Sequence, residues 1–366
     1  MPTKKTGNCK VKNRLFRNLL IVGRASACAT ALASALALAG FADSAQACAC
    51  GCAVFDIGAN AAFPNTADSG FSVFFRYNYM DQNKNWVGAS SAPSSWNGDK
   101  DITTSFYTIG GQYMINRDWG VMVEMPIFHR TLTTTGDGTA YPSGQIYSST
   151  LTDMGDMMLE GVYTGISPDM STGILFGIKL PTGNYTGPFV PPSQSADGNN
   201  DPTYDRDSLP GSGSTDLLFG VYHVGTLTQD GRLAYFTQAR FQMAVIERAG
   251  ITGTYRPGNE LDIGTGVTYN LGAMGGLSKV APVLQLIASD RSSDGGTASN
   301  VSSGFRRLMV APGIDLRVNN VKIYADVSLP LVVDTTAAST PFEISQGNAG
   351  QLVASAIWRL QIGYDF

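Results

Sequence analysis

The chain has 366 residues, 25 Lys+Arg against 29 Asp+Glu, and a formal net charge of −4. Seven of the bases and one acid, Asp43, fall within residues 1–47, so the remainder carries a net charge of −10, which excludes nucleic acid as a partner. A content of 42 Gly, 15 Tyr and 17 Phe, with few long charged helical blocks, favours one large all-β unit over several helical domains.

The N-terminus carries Lys4, Lys5, Lys10, Lys12, Arg14 and Arg17 without an acid before residue 20. After Arg24 the Ala/Leu-rich run "ASACATALASALALAGFA" leads to the small-x-small site Ala45-Gln46-Ala47. This order predicts a secretory signal peptide over 1–47, cleaved after Ala47. An Ala-rich run interrupted by Arg24 is a weaker candidate for a retained membrane anchor.

Residues 48–69 then open the mature chain with "CACGCAVFDIGAN", which places Cys48, Cys50 and Cys52 within five positions. No His follows them, so haem attachment is excluded. Three readings stay open: a thiolate cluster holding a soft ion such as Cu(I) or Zn(II), a disulfide or mixed-disulfide tether in an oxidising compartment, and a lipid anchor on Cys48. The ion is the sole cofactor the sequence suggests. Val54, Phe55 and Ile57 add an expectation that this segment lies in the periplasm or folds up as a short plug.

From Gly70 apolar residues recur at every second position. In "FSVFFRYNYM" Phe71, Val73, Phe75, Tyr77 and Tyr79 share one face; in "WGVMVEMPI" Trp119, Val121, Val123, Met125 and Ile127 do so. "LDIGTGVTYNL" and "VKIYADVSL" repeat the pattern. Period two predicts strands with one apolar and one polar face. Twelve such segments are expected, near 70–80, 103–115, 119–130, 153–166, 171–182, 213–225, 232–243, 260–272, 279–289, 304–318, 320–329 and 351–366. Bulges or irregular ladders are expected at Pro282 and Pro312, which lack an N–H. No segment after the signal has 18 consecutive apolar residues, so no membrane helix follows it.

The connections alternate. Long polar ones cover 81–102, 131–152, 183–212, 244–259, 290–303 and 330–350; short ones cover 116–118, 167–170, 226–231, 272–277 and 319–320. Strict alternation predicts an all-β transmembrane antiparallel barrel over 70–366, with short periplasmic turns, long extracellular loops and the first strand paired to the last. The ending "AIWRLQIGYDF" sets Trp358, Leu360, Ile362, Tyr364 and Phe366 on one face. A terminal strand of this kind resembles the assembly signal of bacterial outer-membrane barrels. Outer-membrane lipid, the barrel-assembly machinery and a small-molecule solute are therefore the expected partners, in a Gram-negative type of cell.

Two stretches resemble a family. "GIKLPTGNY" (177–185), a long loop, then "GSGSTDLLFGVYH" (211–223) is similar to the outer-membrane "transporter" proteins of the phenol-degradation meta-pathway. The resemblance covers about a fifth of the chain and implies a porin-like barrel passing small hydrophobic or aromatic compounds.

Twelve strands imply a narrow lumen. With the apolar face outward, the lumen-lining candidates are Arg76, Glu124, Asp156, Glu160, Lys179, Arg240, Asp262, Arg307, Asp315, Arg317, Lys322, Asp326 and Arg359. Opposite charges can pair across neighbouring strands and hold the barrel, or form a charged constriction that selects solutes. Met122, Met154 and Met158 are expected beside Glu124, Asp156 and Glu160 as gap-fillers. His129, near Asp137, Ser148 and Ser149, is the basis of a lesser alternative, a hydrolase at the barrel rim; His223 is expected in an interfacial structural role. A channel with no enzymatic activity is the leading expectation, and a Cu/Zn-handling barrel using the cysteines is its alternative.

Overall fold

In hydrocarbon each backbone N–H and C=O must find a partner within the protein, so a sheet that spans a membrane has to close. The computed structural model describes residues 69–366 apart from 136–143, 187–207, 251–252, 298–302, 338, 346 and 348, and within these residues the sheet closes on itself. The expected signal peptide and the Cys48/Cys50/Cys52 segment lie outside the described residues.

Twelve long strands form the ring: β1 (Gly70–Val87), β2 (Asp99–Met114), β3 (Trp119–Thr135), β4 (Ile146–Met154 and Met157–Tyr163), β5 (Thr172–Leu180), β6 (Thr215–Thr226), β7 (Leu233–Ile246), β8 (Glu260–Tyr269), β9 (Leu277–Arg291), β10 (Phe305–Val318), β11 (Val321–Thr335) and β12 (Gln351–Asp365). Each strand pairs antiparallel with the next, and β1 closes on β12 from Ser72↔Asp365 to Trp86↔Gln351. The last residue is tied to the first strand as well. Its N–H donates to the Phe71 carbonyl at 2.9 Å, and the Phe366 and Phe71 rings stack at 5.5 Å.

The apolar faces point outward. Phe71, Val73, Phe75, Val121, Val123, Phe219, Val221, Leu284 and Leu286 are exposed on the outside, as are Trp358, Leu360, Ile362, Tyr364 and Phe366 on the terminal strand. Burial alternates with them: on β2, Ile102, Thr104, Phe106, Thr108 and Gln112 face in. Aromatic pairs gather at the short-turn end, with Trp119 4.5 Å from Tyr163 and Tyr364 4.8 Å from Phe366, as in the girdles of membrane barrels.

Above the belt the strands run further than period two alone predicts. β3 continues to Thr135, and its outer face pairs with β4 through hydroxyls: Thr131 with Thr150 at 2.9 Å, and Thr133 with Ser148 at 2.8 Å. A polar outer face extends past the apolar one because hydroxyl pairs suit water.

The ladders are irregular at both expected prolines. Pro282 lies between the pairs Thr268↔Val283 and Gly272↔Val280, across which the register against β9 moves by one residue, and Pro312 lies where the β10–β11 ladder skips from Val310↔Leu329 to Gly313↔Asp326 with its register kept. Each absent donor thus falls in a gap of one ladder. Two details differ from expectation. A further register shift sits at Pro330, between Leu308↔Val332 and Met309↔Pro330. Lastly, Glu124 faces Met158 but Ile127 faces Met154, so β4 carries one extra residue around Gly155–Asp156. One extra residue exchanges the two faces, so Met154 points outward and is exposed, while Met122 is buried inside the barrel.

Close packing inside depends on missing side chains. A Cβ at Gly110 would lie 2.1 Å from the buried Phe74 ring of the neighbouring strand. Gly110→Val should destabilise the folded barrel by about 1–3 kcal/mol through overpacking, read as a lower urea midpoint in phospholipid vesicles. In the β4–β5 turn, Ser171 bonds its hydroxyl and N–H to the Asp169 carboxylate and holds that group down to about 2. A depressed carboxyl contributes fully above the ordinary range near ~4 and loses its contribution as pH falls through its native value. NMR titration should therefore place Asp169 near 2, and Ser171→Ala should move it back towards ordinary aspartate.

Candidate functional site

The strand alternation that puts Phe71 and Val73 in lipid puts the predicted charged residues inside. Arg76, Glu124, Glu160, Lys179, Asp262, Asp315, Lys322, Asp326 and Arg359 are buried within the ring, Asp156 sits at the β4 break, and Arg240, Arg307 and Arg317 occupy inward positions of their strands. The structure gathers them into separate groups.

The first group spans β1 to β7. Arg76 reaches Glu124 with two nitrogens, at 3.2 and 3.4 Å, and its Nε donates to Gln361 at 2.9 Å. Glu160 on β4 accepts from Arg240 on β7, which also lies 3.3 Å from the Met158 sulfur. On the adjoining strands β11 and β12 Arg359 pairs with Asp326 at 2.9 Å; the Tyr324 hydroxyl donates to Asp326 at 2.6 Å and Gln285 to both. Lys279–Asp315 at 2.6 Å and Lys322–Asp365 at 2.8 Å join neighbouring strands towards the periplasmic mouth. Near the outer end Ser289 donates to Asp262, Arg291 faces Glu260 at 3.9 Å, and Arg307 stacks on Phe305 at 4.6 Å. These charges are arranged as pairs in a low-dielectric interior, where a partner offsets the desolvation of each ion.

A further group pins a loop into the lumen. Lys179 at the end of β5 lies 2.8 Å from Asp216 and 3.4 Å from Asp156, and donates to Ser212 and Ser214 at 2.6 and 3.2 Å. Asp156 in turn accepts from the backbone N–H of Gly183 and of Ser212, at 3.0 and 2.8 Å. The two stretches that carry the family resemblance therefore meet: the Lys of Lys-Leu-Pro-Thr-Gly bonds the Asp of Gly-x-x-Asp-Leu. Arg130 extends the latch by donating to the Ser208 carbonyl at 2.7 Å. Together these contacts seat residues 208–214, from the long β5–β6 connection, against the inner wall, and Leu209 packs on Ile102, Leu132 and Leu352.

Between the charges runs an apolar arc that a polar-inside pattern does not anticipate. Met80, Phe106, Phe236, Val283, Ile287, Met309, Tyr324 and Ile357 are buried inward residues in mutual contact, with Phe128 and Val224 against them. Phe106 and Phe128 meet edge to face at 4.9 Å. On β8 the inner face narrows to Gly266, where a Cβ would come 2.5 Å from the Phe236 ring. The sequence signal for these residues is a break in alternation, where two apolar residues are adjacent: Tyr79-Met80, Ile127-Phe128, Tyr235-Phe236 and Ile357-Trp358.

The rim constellation does not assemble among the described residues. His129 faces outward and bonds Thr152 at 2.6 Å, Ser148 bonds Thr133, and Ser149 is buried on the inner face; Asp137 lies outside the described residues. His223 bonds Thr172 at 2.8 Å and Tyr235 at 2.9 Å, so both ring nitrogens serve to link β5, β6 and β7. No group of three or more His, Cys, Asp and Glu suited to a metal occurs among the described residues.

No family model and no curated protein matches the sequence. Among solved structures the chain is similar to an outer membrane channel from Pseudomonas putida F1, at 10% identity over 86% of this chain and 100% of that one, with a TM-score of 0.57. The β domain of the Bordetella autotransporter BrkA matches at 11% identity over 81% and 100%, with a TM-score of 0.46. A FadL homologue of Pseudomonas aeruginosa matches at 10% identity over 85% and 93%, with a TM-score of 0.35. The fold is that of a bacterial outer-membrane β-barrel, resting on the closed ring, its apolar exterior and the first of these likenesses.

If the lumenal ions serve mainly to hold the wall, their loss should register as stability. Arg76→Met leaves Glu124 buried without its partner and should cost about 3–5 kcal/mol; pairing it with Glu124→Met should recover most of that. Urea titration of the three proteins in vesicles measures both.

Proposed function

We propose that this chain is a passive outer-membrane channel that admits small apolar or aromatic solutes. The observation that carries the reading is the apolar arc inside the lumen. Membrane barrels that conduct water and ions are polar within, yet here Phe106, Phe128, Phe236, Ile287 and Met309 face the interior. Such a lining offers a hydrocarbon solute roughly 25 cal/mol for each Å² of apolar surface removed from water. Conduction requires binding that is favourable but shallow, and a short apolar strip bounded by polar groups meets both conditions.

The charged groups fit the same reading. Arg76–Glu124, Glu160–Arg240 and Arg359–Asp326 pair acid with base, so each largely cancels its neighbour's field. Uncharged solutes pass such a wall without the desolvation that unpaired charges would demand of an ion. The likeness in fold to a barrel described as an outer membrane channel supports the general class, and the Lys179–Asp216 link gives the family resemblance a physical basis.

Cells that express the protein should take up N-phenyl-1-naphthylamine, an uncharged aromatic dye, faster than cells with an empty vector. Phe106→Gln with Phe236→Gln replaces apolar lining by amides, and should slow uptake about tenfold, the equivalent of ~1.4 kcal/mol of lost attraction. Uptake no faster than the empty vector would overturn the proposal.

A further inference from the structure

The outside of the ring is not the same all round. On β3, Trp119 of the short-turn girdle stands ten residues below His129. At about 3.3 Å per residue and a tilt of about 40°, that climb is roughly 25 Å, the height of an apolar band. His129 therefore marks the outer interface, and the outer face above it meets headgroups. On β7 the same climb from Tyr235 ends at Val245, and on β11 the climb from Val321 ends at Leu331; both ends are apolar and exposed. On β1 to β4 the wall at this height is polar instead.

The polar side chains lie in register. The lowest row joins Tyr79, Ser105, His129 and Thr152. Above it run Asp81, Thr103, Thr131 and Thr150, and then Asp101, Thr133 and Ser148. Residues two apart on a strand share a face, so the rows stack with steps of about 4.8 Å across strands and ~6.7 Å along them. His129, Ser148, Thr150 and Thr152 are exposed and the others half-buried.

Hydrogen bonds hold this face in advance. His129 Nδ1 lies 2.6 Å from the Thr152 hydroxyl, and the hydroxyls of Thr131 and Thr150 and of Thr133 and Ser148 meet at 2.9 and 2.8 Å. Asn83 donates to Asp81 at 2.9 Å. A hydroxyl pair consumes one O–H, so each keeps a second O–H and spare lone pairs for a molecule outside. Fixing them beforehand lowers the ordering cost of binding. Beneath the lowest row is an aromatic step, where the Tyr77 hydroxyl lies 3.3 Å from that of Ser105 and its ring 5.3 Å from Tyr107. Such rings offer an apolar face with a polar tip.

Charge selects the occupant. These rows contain Asp81 and Asp101 but no Lys or Arg. Phosphate headgroups are held by Lys and Arg, and two carboxylates repel them. An uncharged sugar instead donates its O–H groups to the carboxylates, exchanges hydrogen bonds with the Thr and Ser hydroxyls, and lays its C–H face on the tyrosines. Directly below, Phe75, Ile109 and Val123 are exposed to acyl chains.

We propose that the outer wall of β1 to β4 is a docking surface for the neutral sugar headgroup of an outer-leaflet glycolipid. The polar rows take the sugar and the apolar face beneath them takes the chains of the same molecule. The surface does not depend on what the lumen passes.

The full-length protein is reconstituted without calcium in vesicles of digalactosyl diacylglycerol and phosphatidylglycerol in equal amounts. It is then extracted in mild detergent, and the retained lipids are counted by native mass spectrometry. The surface predicts about fivefold more galactolipid than phosphatidylglycerol, the equivalent of one net hydrogen bond. Thr131→Val with Thr150→Val removes the central hydroxyl pair and keeps its shape, and should abolish that preference, whereas Thr237→Val on β7 should leave it unchanged. Equal retention of the two lipids overturns the proposal, as does a preference that the Val pair leaves intact or that Thr237→Val lowers equally. Preferential retention of phosphatidylglycerol once calcium is added also overturns it, since the carboxylates would then serve a cation bridge. A heat-modifiability gel shows which variants fold. Should the Val pair not fold, Thr133→Val with Ser148→Ala is read by the same criteria.

Discussion

Everything in this molecule depends on where backbone hydrogen bonds can be made. In hydrocarbon there is no water to accept an unpaired N–H, so the strands must form a closed ring, and the first must find the last. The contacts of Phe366 with Phe71 are the local expression of that demand: the chain ends by sealing the seam with both a backbone bond and a ring stack. The strict alternation of short and long connections follows from the same constraint, since neighbouring strands must run in opposite directions and share one register.

Closure at twelve strands has a second consequence. The interior is narrow enough that its side chains touch one another, and a charged group there must meet a partner at close range. Lys179 shows how much structure this produces. Its ammonium draws Asp156, Asp216, Ser212 and Ser214 together, fixes the β4 break, and seats the end of a long outer loop against the wall. The same economy of space explains Gly110 and Gly266, whose missing side chains admit the rings of Phe74 and Phe236.

An interior with both paired ions and an apolar arc is partitioned, and the partition bears on function. Ion pairs hold the wall while contributing little net field; in the proposed reading the arc gives uncharged molecules a surface to follow. In the proposed reading, structural and conductive roles are carried by different residues, which is why they can be separated by substitution.

Much of the fold is legible in the sequence. Period-two alternation in segments such as "FSVFFRYNYM", together with the rhythm of the loops, determines a closed antiparallel barrel, because in a strand the choice of face is fixed by position alone. That rule also identifies the charged residues of the inner wall. It fails for Met154, where one extra residue at Gly155–Asp156 reverses the faces, and for Phe128 and Phe236, whose inward places are marked only by an adjacent apolar neighbour. Which ion meets which, how the loop at 208–214 enters the lumen, and where the ladders shift register were decided by tertiary structure. Pairing partners such as Glu160 and Arg240 lie on strands that are not adjacent, and bulges depend on how two neighbours compete for the same backbone, neither of which is a local property of the chain.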